Sequence, residues 1–583
     1  MPQVTKSARS AERPDIDVAI LGSGLAGTAL AAVLARGGAS VLVIDAGTHP
    51  RFAIGESTTP YTSMLMRLVS ERYDVPEIKY LTTFENVHGK IATTSGIRKN
   101  LGFLYHREGE RQRLEECHQF PVPRTAPVGN HFFRQDIDAW MLNVAVKYGA
   151  KIRQRTRIVD VDFDAQGGTL TDERGIAYRA RYIMDTSGSR SPLASKLAPR
   201  DEAPVMRHHS RSLFTHMMNV TAYDDLLSRV AHGHPTKWSQ GTLHHVFEGG
   251  WMWVIPFNNH ARTTNPLVSV GLNVDPRVHP DFDGTPEEEF RSFISRFPDI
   301  RSQFTDAVAV RPWVRTGRQQ YSSAKTVGER WCLTSHAAGF VDALFSHGLS
   351  NSFEIINALA WRLLEALKED DFSAERFTDV EELELGLLRN NDALAADAYT
   401  SFSDFRLWDT WLRVWSLGQI LATFEIGTAY AHFLDSYDVA SLARLEGLAR
   451  DGAIPDYPPL RELLAYVSGQ VQFAQEGGQD SGTAAGNILA ALHRADFLPP
   501  ALGLTDTSNR WFDGLPRKGA GTGRWARNDA PSEIGPLVAE GLALLGKKRR
   551  SPDEVGLGEK FKHTVATWPV VGRSLRSPLA PRS

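Results

Sequence analysis

The first ordered pattern along the chain is Asp17-Val18-Ala19-Ile20-Leu21, a run too short for a helix and apolar after its first residue. That spacing predicts a strand. Gly22-Ser23-Gly24-Leu25-Ala26-Gly27 follows at once, and Ala26, Leu30, Val33 and Leu34 then recur at helical spacing. Ser40 to Ile44 is a second apolar strand, closed by Asp45. The three glycines interrupt the apolar stretch Val18 to Leu34. It therefore predicts strand–turn–helix–strand rather than a membrane span of about 20 unbroken apolar residues.

The rest of the chain divides into blocks. Residues 1–14 are polar and predict a flexible tail. Residues 15–200 alternate strand-like and helix-like runs. Residues 201–330 are richer in strand patterns. Residues 331–370 hold a strand, a loop and an amphipathic helix. Residues 371–583 are mostly helical, carry Trp408, Trp411 and Trp415, and end in a polar tail with the basic run Lys547 to Arg550. The pattern predicts an α/β fold with a Rossmann-like βαβ domain, an interleaved mixed β-sheet substrate domain and a mostly helical C-terminal region.

Within that unit each glycine has a physical task. Gly22 permits a tight turn, Gly24 lets backbone approach a pyrophosphate, and Gly27 lets helix and strand pack closely. Leu25 and Ala26 open the helix, whose N-terminal N–H groups face the phosphates. Asp45 lies twenty-three positions after Gly22, where an acid can accept hydrogen bonds from ribose hydroxyls. Two later turns extend the site. Gly55-Glu56-Ser57 follows the second strand, and Asp185-Thr186-Ser187-Gly188 follows the strand Arg181 to Met184. Arg134 opens a helix between them. Three such loops in this order point to a long cofactor such as FAD.

Composition narrows the class. Lys and Arg number 65 against 68 Asp and Glu, a net charge of −3, so no basic excess points to nucleic acid. Two cysteines cannot build a disulfide framework. No apolar segment follows the N-terminal basic residues, and the expected location is cytoplasmic, without an integral membrane segment.

The chain resembles the flavin-dependent halogenases, within the flavin monooxygenase-like superfamily. The resemblance rests on the Gly22–Gly27 turn, the Gly55-Glu56-Ser57 loop, the WxWxIP signature at Trp251-Met252-Trp253-Val254-Ile255-Pro256, and the loop Ala337 to Gly348. These motifs span residues 17–367. The resemblance implies FAD used as FADH2, O2, chloride or bromide, and a separate NAD(P)H flavin reductase. It implies an aromatic substrate, a phenol, pyrrole or carrier-bound ring rather than free tryptophan.

The signature also has a reading from its residues alone. Trp251, Trp253 and Ile255 alternate, so a strand puts all three on one face as a rigid apolar wall. An ordinary core strand fits the same pattern. The resemblance implies that this wall, with Pro256, separates flavin from substrate, so that hypohalous acid must travel and a lysine must relay it. Lys99 leads a strand-like run and is the expected relay, with Lys90 next and Lys79 also near; Arg98 is expected on the face opposite Lys99. Backbone around Ser346, His347, Gly348 and Leu349, before a helix, suits a halide. The resemblance also places His336, Ala338 and Phe340 beside the flavin. Here Ser335-His336 replace the family's Gly-Asp, which removes a fixed negative charge. The adjacent pairs His208/His209 and His244/His245 point opposite ways on a strand and make poor chelates, so no metal is expected.

Two other functions fit parts of the sequence. A monooxygenase or reductase could use NAD(P)H directly, though no second dinucleotide turn is present and the Trp wall opposes it. A degenerate, non-catalytic flavin binder would explain Ser335-His336.

Overall fold

The computed structural model describes residues 14–546 apart from 123–126, 198–199, 201–205, 227–232, 443–444, 447–456 and 513–514. The N-terminal tail to residue 13 and the basic run Lys547 to Arg550 lie outside them.

The predicted βαβ unit is present. Ile16–Leu21 and Val41–Ile44 are parallel neighbours flanking the helix Leu25–Arg36. Ala177–Asp185 pairs on the other side of Ile16–Leu21, and Trp331–Leu333 lies beyond it, both parallel. The strands are apolar on both faces because helices cover one side and a hairpin, Ile158–Asp164 with Gly167–Asp172, covers part of the other. The turns carrying Gly22 and Thr186–Gly188 leave the same end of this sheet, where ligands of open α/β sheets bind.

A second eight-stranded sheet carries the wall. Its central strands are Arg211–Met218, Val268–Val274, Gly250–Pro256 and Thr242–Phe247. The sequence blocks do not match this sheet at its edges. Asn100–Tyr105 and Cys117–Pro121 complete it from within residues 15–200, and Asn100–Tyr105 pairs in parallel with Thr242–Phe247. Val327–Gly328 belongs to the first sheet, not to the 201–330 block. Local pattern marks a strand, but pairing partners far along the chain decide its sheet.

Residues beyond 370 are helical, as expected, but are not a separate unit. The helix Phe405–Ser436 buries Trp408, Trp411 and Trp415 in one cluster with Trp251, Trp253, Ile255, Phe103 and Tyr105. Thus the wall strand and the C-terminal helices share a core. Among the described residues no helix is long and apolar enough to cross a membrane.

Candidate active site

A cleft of about 660 Å³ runs from the Gly22 turn to the wall. Gly22, Gly24, Leu25, Ala26, Gly27, Asp45, Gly55, Glu56, Ser57, Arg134, Gly188, His336 and Phe340 line it, with Trp251, Trp253, Ile255, Ser346, Gly348 and Leu349. The three sequence-distant turns and the wall therefore meet in one space. Two expected cofactor residues lie behind its surface. Asp185 is fully buried and accepts from Ser187 N and Oγ, Ser191 Oγ and Leu193 N, which fixes the second turn. The Ala338 carbonyl accepts from Arg200. Pro256 contributes its carbonyl oxygen, 2.9 Å from His131 Nδ1.

Asp45 stands at the cleft but is already engaged. Ser23 N and Oγ and both terminal nitrogens of Arg51 donate to it at 2.7–2.9 Å. Burial alone would raise its carboxyl pKa; the Arg51 and Ser23 hydrogen bonds outweigh that and hold it well below the carboxylate range. Arg51, Arg157 and Arg190 also line the cleft, and sequence reasoning did not single them out. Arg51 and Arg190 adjoin two of the turns in sequence; Arg157 lies far from all three.

The two indoles are pinned from behind by separate buried networks. Trp251 Nε1 donates to Asp342 Oδ1 at 3.2 Å. Asp342 also accepts from Leu344 N, Ser210 Oγ and Tyr399 OH, and His208 Nε2 lies 2.9 Å away. Trp253 Nε1 donates to Ser269 Oγ at 3.1 Å, and Ser269 donates to Glu56 Oε2. Glu56 Oε1 lies 2.8 Å from His216 Nε2. The Glu of the Gly-Glu-Ser loop is thus tied to the wall. Met252 and Val254, between these residues, pack into the opposite core, as strand alternation requires.

Ser346, Gly348 and Leu349 sit at the start of the helix His347–Glu369, with Ser346 in the left-handed region at φ +57°. His347 faces a smaller cavity behind the loop, its Nδ1 2.6 Å from Asn391 Oδ1. Burial pushes its pKa below the ordinary histidine value, so it is neutral at pH 7. Burial, with the Arg134 charge, likewise lowers His336 to about 4. The site therefore has a neutral ring at position 336.

That smaller cavity also meets Glu384, which accepts from Ser335 N at 3.2 Å. Burial, with a further push from Glu354, raises its pKa to about 8. A raised folded pKa gives stability that is complete below the unfolded value, about 4.5, and is lost as pH rises through about 8. Glu384→Gln should therefore flatten the alkaline limb. Urea unfolding should show wild type losing roughly 2 kcal/mol more than the variant between pH 6 and pH 9, a discounted share of the full shift. Parallel losses would remove Glu384 as the cause.

The structure does not bring Lys99 to the cleft. Its ammonium is half-buried and donates to Gln240 Oε1 at 3.1 Å. Lys90 is exposed and lies over the Tyr80 ring, and Lys79 pairs with Glu71. Arg98 takes the opposite face, as alternation predicts, and that face points inward: it is 4% exposed. Lys99 falls between the strands Gly96–Arg98 and Asn100–Tyr105; which face of the run is interior depends on a partner strand, Gly129–His131, that the segment itself cannot reveal. His244 and His245 also diverge, His244 toward the cleft and His245 toward His106 and Gln303.

The residues fit a long dinucleotide. A side chain at Gly24 would meet nothing within 4 Å, which leaves open space for phosphates at the helix start. The fold and cleft thus define an FAD-binding oxidoreductase, and a family model described as an FAD binding domain matches residues 15–283. The chain is 43% identical to tetracycline 7-halogenase of Kitasatospora aureofaciens over 91% of this chain and 96% of that protein. It is 43% identical to monodechloroaminopyrrolnitrin halogenase PrnC of Pseudomonas fluorescens, covering 84% of this chain and 86% of that one. The crystal structure of halogenase PltM in complex with phloroglucinol and FAD superposes with a TM-score of 0.82 at 35% identity, covering 85% of this chain and 99% of that chain. The chain belongs to the flavin-dependent halogenases.

Proposed function

We propose that this halogenase acts on a free, electron-rich aromatic ring bound beyond the Trp251–Trp253 wall, with FADH2 delivered by a separate NAD(P)H flavin reductase in the cytoplasm. The observation that carries this reading is the wall itself. Two indoles, each locked by its own buried carboxylate network, stand between the cleft and the aromatic helix Phe405–Ser436. A free ring is favoured because two relatives that match most of the chain are named for tetracycline and monodechloroaminopyrrolnitrin. The chlorinase of a carrier-bound pyrrole in Pseudomonas fluorescens is 26% identical over 64% of this chain.

The residues divide the work. Gly22 to Gly27 would hold the pyrophosphate and Asp45 the ribose. Arg134, Gly55 and His336 would flank the middle of the cofactor. The backbone of Ser346, Gly348 and Leu349 would donate to a halide. When bound and reduced, FAD with O2 supplies the oxidising equivalents that convert halide to hypohalous acid. The wall keeps the ring from the cleft while that small oxidant passes. Bulk water is kept out by the same apolar packing.

Reconstitution with FAD, a flavin reductase, NADH and either chloride or bromide tests the reading against a panel of phenols, anilines and pyrroles, free and carrier-tethered. Mass spectrometry should show halogenated free rings. Rapid, substrate-stimulated NADPH oxidation without the reductase, giving hydroxylated product, would sink it.

A further inference from the structure

Arg98 ends the short strand Gly96–Arg98, which pairs with Gly129–His131. It is 4% exposed, and its Nε is wholly buried without a hydrogen-bond partner. Among the described residues none of its nitrogens donates a hydrogen bond or meets a carboxylate at ion-pairing distance. A buried cation is costly when nothing neutralises it, and proteins rarely keep one without a partner.

Its surroundings place it at the edge of the wall. His131, on the paired strand, lies 2.9 Å from the Pro256 carbonyl and 3.0 Å from Thr242 Oγ1. Thr242 Oγ1 is 2.7 Å from Ser57 Oγ, and both residues line the cleft. His244 lines it too, with its ring 5.3 Å from Trp251. Burial first, and the Arg98 charge among the lesser causes, hold both His131 and His244 to about 3. Arg98 does not itself line the cleft; it is a buried cation behind the neutral rings of His131 and His244 at this edge. Burial lowers its own pKa only to about 10, so it stays charged at neutral pH.

We propose that Arg98 receives the oxidised halogen in this enzyme, holding the oxygen of hypohalous acid by charge and hydrogen bonds rather than through a covalent nitrogen–halogen bond. This rests on the proposed halogenase reading. A guanidinium is planar, rich in donors and protonated, so it binds an oxyanion well and is a poor nucleophile. The step is HOX + Ar–H → Ar–X + H2O. The ring's electron pair attacks X, the X–O bond breaks, and the carbon is oxidised as the halogen is reduced. The departing hydroxide, held by Arg98, takes the ring proton as water.

The test compares wild type with Arg98→Met, Arg98→Lys and Lys99→Ala. FAD affinity and thermal midpoint check that each is folded. Product is measured by mass spectrometry, and released hypohalous acid by a 1,3-diketone trap. Arg98→Met should keep FAD binding, the halide KM and flavin oxidation, lose product at least 100-fold, and leak hypohalous acid to the trap. Arg98→Lys should recover part of the product, and its intact mass under turnover should gain a halogenated amine absent from wild type. Lys99→Ala should match wild type. Product at the wild-type level in a folded Arg98→Met or Arg98→Lys variant that leaks nothing would overturn the assignment. So would a tenfold rise in halide KM with loss of trapped acid, because Arg98 would then be a halide site. Wild type that yields neither halogenated product nor trapped acid would overturn the halogenase reading itself.

Discussion

A Gly24→Val variant will fold and fail to hold FAD. Gly24 has φ −67° and ψ 174°, extended backbone open to any residue, and no neighbour within 4 Å of where a Cβ would stand. Nothing in the protein therefore requires a glycine there. The open space faces the first turn of Leu25–Arg36, where a pyrophosphate would lie against free N–H groups. An isopropyl group in that space displaces the phosphates and leaves the protein untouched. The thermal midpoint of the apoprotein should stay within about 1 °C of wild type, roughly the shift that ~1 kcal/mol gives a chain of this size. FAD affinity, read from flavin fluorescence, should fall at least 100-fold. Gly22 and Gly27 make the contrast. Gly22 has φ +96°, and a side chain would press to 2.8 Å from Ser187 Cα. A Cβ at Gly27 would fall on the Gly22 carbonyl oxygen and Thr186 Oγ1. Valine at either should cost the fold itself. Undiminished FAD binding by Gly24→Val would place the dinucleotide elsewhere.

The same comparison shows what the sequence could carry. Turns announce themselves locally: glycines at fixed offsets after an apolar strand specify Gly22 to Gly27, and strand alternation specifies that Trp251, Trp253 and Ile255 share a face. Both were legible because each depends on residues a few positions apart. The cation at the wall was not. Arg98 ends one strand and Lys99 links it to the next, and alternation along the run says only that the two side chains diverge. Which one faces inward is set by Gly129–His131, some thirty residues on, and by the wall strand beyond it. The boundary at residue 200 failed for a like reason, since Asn100–Tyr105 finds its partner in Thr242–Phe247. Asp342 sat within a quoted motif, yet its task depends on groups brought from three other segments.

Asp342→Ala should have the largest effect on stability of any single change near the wall. The carboxylate accepts from Trp251, Leu344 N, Ser210 and Tyr399 and meets His208, all in a buried site. Removing it strands several donors at once, and breaking a buried ionic network from one side costs about 3–5 kcal/mol. The pH dependence gives a second signature. Burial would raise the Asp342 pKa, but His208, the Leu344 N–H and Ser210 bring it below the ordinary 3.8. A depressed carboxylate contributes stability above its unfolded pKa and loses it as pH falls through the folded value. Wild type should therefore show an acid limb below about pH 4 that is shallower in Asp342→Ala. Function should fail in a particular way. With Trp251 unpinned, the wall admits water and substrate to the cleft, so reduced flavin is consumed without halogenation. The ratio of halogenated product to NADH oxidised should fall at least tenfold, with hydrogen peroxide or hydroxylated ring making up the difference. Asp342→Asn, which keeps the shape but turns one acceptor into a donor facing Ser210 and Tyr399, should lie between the two. A variant that stays coupled while losing its stability would reduce Asp342 to a structural anchor, because the wall would then hold without it.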